Sequence, residues 1–343
     1  MKALVLTEYD RLDYIDVPEP EVGPRDVLVR VRASGICGSD FHGMDGSSGR
    51  RLPPIIMGHE AAGEITRVGS EVDGWKPGDR VTFDSTIYCN ECETCRAGLT
   101  NLCDRRRVLG VSCTEYREQG TFAEYVTVPQ HILYRLPDSV SYVDGAAVEP
   151  LSIALHAVSR APVTPASSVV VVGTGVIGLM IVQALHALDV TNVVAVDLSP
   201  TRLALAARLG ATTTIRSDEP NAAAAVRAAT SPDGADIAFE AVGITPTVTL
   251  ATESVRKGGT VVLVGNVAPV VQLPLQTVVT RQLRVLGSAT SCGEYPECLD
   301  LIASGKIDAL ALVGAVRPLS EGAEWFERLR QGEAGLIKVV LEP

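Results

Sequence analysis

The stretch from Ser167 to Asp197 constrains the fold more than any other. Ser167-Ser168-Val169-Val170-Val171-Val172 is a short continuous apolar run, the pattern of a strand buried on both faces. Gly173-Thr174-Gly175-Val176-Ile177-Gly178 follows, and then apolar residues at helical spacing through Leu188. A second strand, Val193-Val194-Ala195-Val196, ends at Asp197, nineteen residues after Gly178. A lone GxGxxG says little. Strand, glycines, helix, strand and a terminal acid in that order specify a βαβ unit with a dinucleotide-binding turn. Gly173, Gly175 and Gly178 let backbone approach a pyrophosphate, and the helix start at Val176 and Ile177 offers it unpaired N–H groups. Asp197 can accept hydrogen bonds from the adenosine ribose hydroxyls, and its charge would repel a 2′-phosphate. Val169–Leu188 is apolar for about a membrane thickness, but it holds three glycines with Gln183 and His186, so it is read as strand plus helix and not as a span.

The alternation continues. Helices are expected at 201–209, 220–229 and 246–255, and strands at 235–239, 259–265 and 283–287. Strand–helix alternation implies a parallel sheet with helices on both faces, an α/β doubly wound domain. Gly265 and Ser288 fall just after strands, where ligands lie in open α/β sheets, and so are expected to border a nicotinamide. Arg202 can touch the ribose or simply cap a charge. The opening of the chain reads differently. Strands at 2–7, 27–33, 61–68, 80–83 and 122–128, with Pro18, Pro20, Gly23 and Pro24 between the first two, predict an irregular antiparallel, barrel-like domain. The tail adds helices at 294–304 and 320–330 and a strand at 336–341. A length of 343 residues accommodates two such domains. The net charge is −11 with no basic run, and aromatics are 4%, so neither a nucleic-acid footprint nor a base-stacking platform is expected. The N-terminus turns acidic at Glu8, too early for a signal peptide.

Two groups of residues carry metal chemistry. Cys37 in Gly35-Ile36-Cys37-Gly38-Ser39-Asp40, with Gly58-His59-Glu60, supplies a thiolate, an imidazole and a carboxylate. Three protein ligands with one place open is the pattern of a catalytic zinc site, although a His–Glu pair can also be a surface salt bridge. Cys89-x2-Cys92-x2-Cys95-x7-Cys103 is a four-thiolate set with no open place, a structural site. It would shape a loop, Asn90-Glu91-x-Glu93-Thr94, that has no apolar content. Such clustered thiols suit a reducing, cytoplasmic compartment. Cys113, Cys292 and Cys298 have no such partners and read as ordinary small residues. Ser39 and His42 fit turn chemistry, Asp40 a helix cap, and Glu149, just before Pro150, a carboxylate at a helix start.

These runs resemble the zinc-containing medium-chain dehydrogenase/reductase family over essentially the whole chain. The resemblance implies a GroES-like catalytic domain of residues 1–151 and 289–343, with a Rossmann NAD-binding domain of 152–288 between. It implies two zinc ions. One is catalytic, on Cys37 and His59 with Glu60 and Glu149 beside them, its shell completed by Glu60, Glu149 or a water; one is structural, on Cys89, Cys92, Cys95 and Cys103. Ser39 matches the hydroxyl that takes the substrate proton, His42 the relay that leads it to solvent, and Asp40 the carboxylate that fixes a metal-bound imidazole. Glu149-Pro150-Leu151-Ser152 matches the sorbitol and threonine dehydrogenase branch, where alcohol dehydrogenases proper carry a cysteine. The expected reaction is oxidation of a polyol or related secondary alcohol to a ketone with NAD+. L-threonine and vicinal diols of the butanediol type are the alternatives. Sorbitol dehydrogenases often place an arginine near Thr290–Pro296, and this chain has none there, which favours another polyol. A homo-oligomer, tetramer or dimer, is implied by analogy. Two other classes remain to be tested against this reading. A zinc-free quinone-reductase type would lack the cysteines and the Gly-His-Glu run. A non-catalytic NAD- or zinc-binding protein would bind without turnover.

Overall fold

A computed structural model of the chain describes residues 1–113 and 115–343. It divides into two compact units, Met1–Glu149 with Tyr295–Pro343, and Pro150–Glu294. These limits lie a few residues from those expected at 151 and 289.

In the first unit the strand Asp26–Gly35 is central. It pairs antiparallel with Glu60–Val68, with Tyr125–Pro129 and, at its far end, with the C-terminal strand Lys338–Glu342. Arg80–Phe83 and Leu133–Arg135 extend the sheet beyond Glu60–Val68, and Val313–Pro318 extends it beyond Lys338–Glu342 in a parallel pairing. Alternate residues of Asp26–Gly35 point into a core of Val27, Val29, Val31, Ile65, Val81, Phe83 and Val126. A second core gathers Leu4, Leu6, Ile36, Met57, Phe122, Phe326 and Leu341, where the ends of the sequence meet. The strand expected at 122–128 begins only at Tyr125, because Phe122 and Ala123 are spent on that core and on a bridge to Ala3.

The second unit is a six-stranded parallel sheet. Its order is Thr213–Arg216, Asn192–Asp197, Ser168–Val172, Ala235–Glu240, Val255–Leu263, Arg284–Gly287. Numbered along the unit this is 3-2-1-4-5-6, the doubly wound dinucleotide-binding order, which reverses between Ser168–Val172 and Ala235–Glu240. Ser168–Val172 is buried throughout, as its unbroken run of valines requires. Thr213–Arg216 was not legible as a strand: it lies at the sheet edge and buries only Ile215, so it has no apolar pattern. The helix Thr245–Ser254 passes directly into the strand at Val255, four residues before the expected start. Among the described residues no helix is long and apolar enough to cross a membrane.

Candidate active site

Pairing of Asp26–Gly35 with Glu60–Val68 sets Gly35 opposite Glu60. Cys37 therefore leaves the end of one strand where His59 and Glu60 enter the other. The sulfur of Cys37, a ring nitrogen of His59 and a carboxylate oxygen of Glu60 lie within 4.8 Å of one another. His59 and Glu60 are buried, at 7% and 1% exposure. A thiolate, an imidazole and a carboxylate this close, with almost no water, have few ways to satisfy their charge other than a cation. Cys37 also caps the short helix Gly38–Gly43: its sulfur accepts the Ser39 N–H, and its own N–H donates to Asp40 Oδ2 at 3.2 Å.

That helix splits its polar residues between two sides. Asp40 is fully buried, while Ser39 and His42, three residues apart and so on one face, are exposed. Asp40 Oδ1 receives Arg51 Nη2 at 3.0 Å and lies 3.5 Å from His59 Nδ1. The latter is too long for a formed hydrogen bond, but it turns Nδ1 toward the carboxylate and leaves Nε2 as the free ligand nitrogen. Burial works to raise the Asp40 pKa, and His59 and Arg51 outweigh it, holding the carboxyl well below its usual range. Burial likewise works to lower the His59 pKa, and Asp40 and Cys37 outweigh it, raising it well above 6.5.

Glu149 lies outside the close group of three. It stands in the first turn of the helix Val148–Ser159, buried at 7% exposure, and accepts a hydrogen bond from Ser85 Oγ at 2.9 Å. Burial pushes its pKa up to about 7; His59 lowers it and Glu60 raises it, so its charge is coupled to that group. The fourth charged neighbour was missed by sequence reading: Lys338, 4% exposed, is ion-paired with Glu60. Burial works to lower its pKa, and Glu60 and then Cys37 reverse this and raise it. The signal was present as a single lysine at the head of an otherwise apolar strand, Lys338-Val339-Val340-Leu341. Arg51 gave no comparable signal.

Cys89, Cys92, Cys95 and Cys103 also have all sulfurs within 4.8 Å of one another. Cys89–Cys95 and Cys92–Cys103 are each 3.9 Å apart. Four sulfurs at zinc–thiolate bond length on a tetrahedron lie about 3.8 Å apart, so the set fits the ion. The Thr94 hydroxyl leads in lowering the Cys92 pKa to about 6, while burial and neighbouring sulfurs push Cys95 up to about 12. A cation between the four sulfurs would relieve that push and let all four be thiolates.

In the second unit the three glycines serve different needs. Gly173 has φ +92, and a Cβ on Gly178 would lie 1.8 Å from the Gly173 carbonyl oxygen. A Cβ on Gly175 would meet nothing within 4 Å, so space lies open at the N-terminus of the helix Val176–Ala187. Val176 and Ile177 are half-buried in its first turn, and Gly175 provides no side-chain cap, leaving N–H groups for an anion. Asp197 accepts the Thr174 N–H at 2.6 Å and the Ser199 N–H at 2.8 Å, tying the end of its strand to the glycine turn. Arg202, partly exposed, donates its backbone N–H to Ser199. Gly265 packs against Val242 and Gly243 with no room for a side chain. The buried Glu240, which sequence reading also missed, fixes that loop by accepting the Val242 and Gly243 N–H groups. The hydroxyls of Thr174 and Ser288 are buried without a partner, as suits groups awaiting a ligand at the carboxyl ends of the strands.

A dinucleotide fold joined to a candidate metal centre with an open place defines an oxidoreductase class. Residues 23–138 match the family model of the alcohol dehydrogenase GroES-like domain, and residues 176–304 that of zinc-binding dehydrogenase. The sorbitol dehydrogenase of Bacillus subtilis (strain 168) is 34% identical over 348 residues, covering 100% of this chain and 97% of the relative. The D-xylulose reductase A of Aspergillus niger is 37% identical over 343 residues, covering 96% and 94%. A protein of Sinorhizobium meliloti 1021 solved bound to NADP superimposes with a TM-score of 0.92 at 34% identity, covering 100% and 99%. The chain belongs to the zinc-binding dehydrogenases of the medium-chain family, with a GroES-like domain and a Rossmann domain.

Proposed function

We propose that this enzyme oxidises a secondary alcohol of a polyol to a ketone with NAD+. Cys37, His59 and Glu60 would hold zinc, which would supply Lewis acidity to the substrate hydroxyl, and a bound nicotinamide would supply the hydride acceptor. The observation that carries the reading is the close group Cys37–His59–Glu60 with a second buried carboxylate, Glu149, coupled to it. Asp40, held by Arg51 and the Cys37 N–H, orients the His59 ring. Ser39 receives the substrate hydroxyl proton, and His42, on the same exposed helix face, hands it to water. Glu149, buried and bonded to the Ser85 hydroxyl, exchanges a hydrogen bond with a second hydroxyl of the substrate. Relatives named for sorbitol and D-xylulose support a hydroxyl-rich substrate. The same carboxylates would also draw the ammonium of L-threonine, the second reading.

In the second unit Gly173, Gly175, Val176, Ile177 and Gly178 bind the pyrophosphate, Asp197 and Arg202 the ribose, and Gly265 and Ser288 border the nicotinamide. Asp197 against a 2′-phosphate costs about 1–3 kcal/mol, so NAD+ is preferred over NADP+ by roughly ten- to a hundredfold. One screen tests both assignments: kcat/KM with each coenzyme across pentitols, hexitols, inositols, vicinal diols and L-threonine. A polyol with NAD+ is expected to lead. Threonine well ahead of every polyol rejects the substrate assignment, NADP+ ahead rejects the role of Asp197, and no turnover with any alcohol returns the chain to a binding function.

The protein works as a homo-oligomer in the cytoplasm. Val270, Leu275 and Val279 are 85%, 66% and 68% exposed, close in sequence to the sheet-edge strand Arg284–Gly287. Arg281 and Arg284 are the only charges in 263–287, and a second copy would cover the apolar side chains beside them. Sedimentation should give a dimer or larger species that Val270→Glu with Val279→Glu dissociates; a monomeric parent protein excludes the oligomer. None of the eight cysteines is in a disulfide, as suits a reducing compartment, and fractionation of the source cells should recover the protein with cytoplasmic markers.

A further inference from the structure

We propose that Lys338 is a positioning residue for the metal centre: it holds one oxygen of Glu60 and so keeps that carboxylate from filling the place the substrate needs. The proposal rests on the reading that Cys37, His59 and Glu60 hold a metal.

The geometry follows from strand register. Gly35 lies opposite Glu60 on one side and Val340 on the other. Directly paired residues share a sheet face, and so do residues two apart on one strand. Glu60, Gly35, Val340 and Lys338 therefore face the same way, and Gly35 has no side chain to stand between the acid and the lysine. A Cβ on Gly35 would lie 2.3 Å from Glu60 Oε2 and 2.9 Å from Lys338 Cε, so the gap is already filled by the ion pair. Lys338 Nζ contacts Glu60 Oε2 and also donates to the carbonyl oxygen of Ile36 at 3.0 Å. Ile36 adjoins Cys37. One ammonium, delivered by the C-terminal strand, thus ties the carboxylate to the backbone that carries the thiolate.

The Glu60 side chain is 1% exposed, so water does not compete for it. Two cations do: Lys338, and the metal beside Cys37 and His59. Freed of Lys338, the carboxylate has only the metal as a counter-charge, and a bidentate carboxylate there would block an incoming hydroxyl. A lysine that merely neutralised a buried acid would stabilise the fold without altering the metal's surroundings, and this difference is measurable.

The test uses the full-length protein with cobalt(II) at the Cys37 site and zinc retained on the four cysteines. Lys338→Met should alter the visible cobalt bands, slow metal release to a chelator by about tenfold, and raise KM more than it lowers kcat. Glu60→Gln combined with Lys338→Met should return the bands and the release rate toward those of the parent protein. Unchanged bands and release in Lys338→Met, with only thermal stability lowered, overturn the proposal. If Lys338→Met does not fold, Gly35→Ala decides, because it sets a methyl between Oε2 and Lys338 without changing charge: shifted bands support the proposal and unshifted bands overturn it. A parent protein that takes up no cobalt beyond the four-cysteine cluster refutes the metal-centre reading itself, and the role of Lys338 with it.

Discussion

His59→Ala is expected to lower kcat/KM for the alcohol by at least about a thousandfold, because several kcal/mol of Lewis-acid stabilisation leaves with the metal. Metal content should fall from two ions per chain to one. His59 supplies the imidazole of the set, and a buried pair stands behind it. Asp40 is fully buried and lies 3.5 Å from Nδ1, with Arg51 behind it at 3.0 Å. Alanine removes the ring but leaves the Asp40–Arg51 pair intact, so the sheet end should survive while the ion does not. Coenzyme binding should also survive, because the glycine turn and Asp197 belong to the other unit. The measurements are kcat/KM, metal per chain and NADH affinity. Two retained metal ions, or a rate within tenfold of the parent, would remove His59 from the site. Loss of NADH binding as well would indicate general unfolding, and the milder His59→Gln would then replace it.

The parts of this molecule that sequence alone revealed are those where chemistry and local pattern coincide. A strand buried on both faces calls for an apolar run, so Ser168–Val172 is visible; a Cβ at 178 would lie 1.8 Å from the Gly173 carbonyl oxygen, so only glycine fits and Gly178 is visible too. The four cysteines are legible because their spacing lets a single loop wrap one ion. What stayed hidden depends on partners distant along the chain. Lys338 meets Ile36 and Glu60 only after the C-terminal strand has docked beside Asp26–Gly35. Arg51 finds Asp40 across a loop without periodicity. Thr213–Arg216 is a strand because Asn192–Asp197 offers an edge, not because its own residues demand it. Glu149 was expected to face the metal; it accepts the Ser85 hydroxyl and lies buried beyond the close group of three, within reach of their charge. Local rules locate the ligands; long-range pairing decides how their charges are shared.

Cys103→Ser is expected to remove the other ion and to lower the apparent melting temperature by about 4–7 °C, the equivalent of roughly 3–5 kcal/mol in a chain of this size. The reason lies in what the lobe lacks. The short helix Glu93–Arg96 buries none of its residues, Leu99 and Leu102 are 46% and 49% exposed, and the turn Thr100–Leu102 buries only Asn101. With no apolar core, the lobe's shape depends on the sulfurs and on the backbone N–H groups around them. Glu91 and Cys92 donate to the Cys89 sulfur at 3.4 Å, and Cys89 and Arg105 donate to the Cys103 sulfur at 3.3 Å. Such bonds favour thiolates, and a tetrahedral zinc ion holds them together. Serine at 103 is a poor ligand at neutral pH and breaks both the coordination and two of these bonds. Proteolysis should then begin between Cys89 and Arg107, while the Cys37 site keeps its metal and the purified variant keeps most of its activity at low temperature. A variant with unchanged melting temperature and two zinc ions would show that the lobe is held by something other than its four sulfurs.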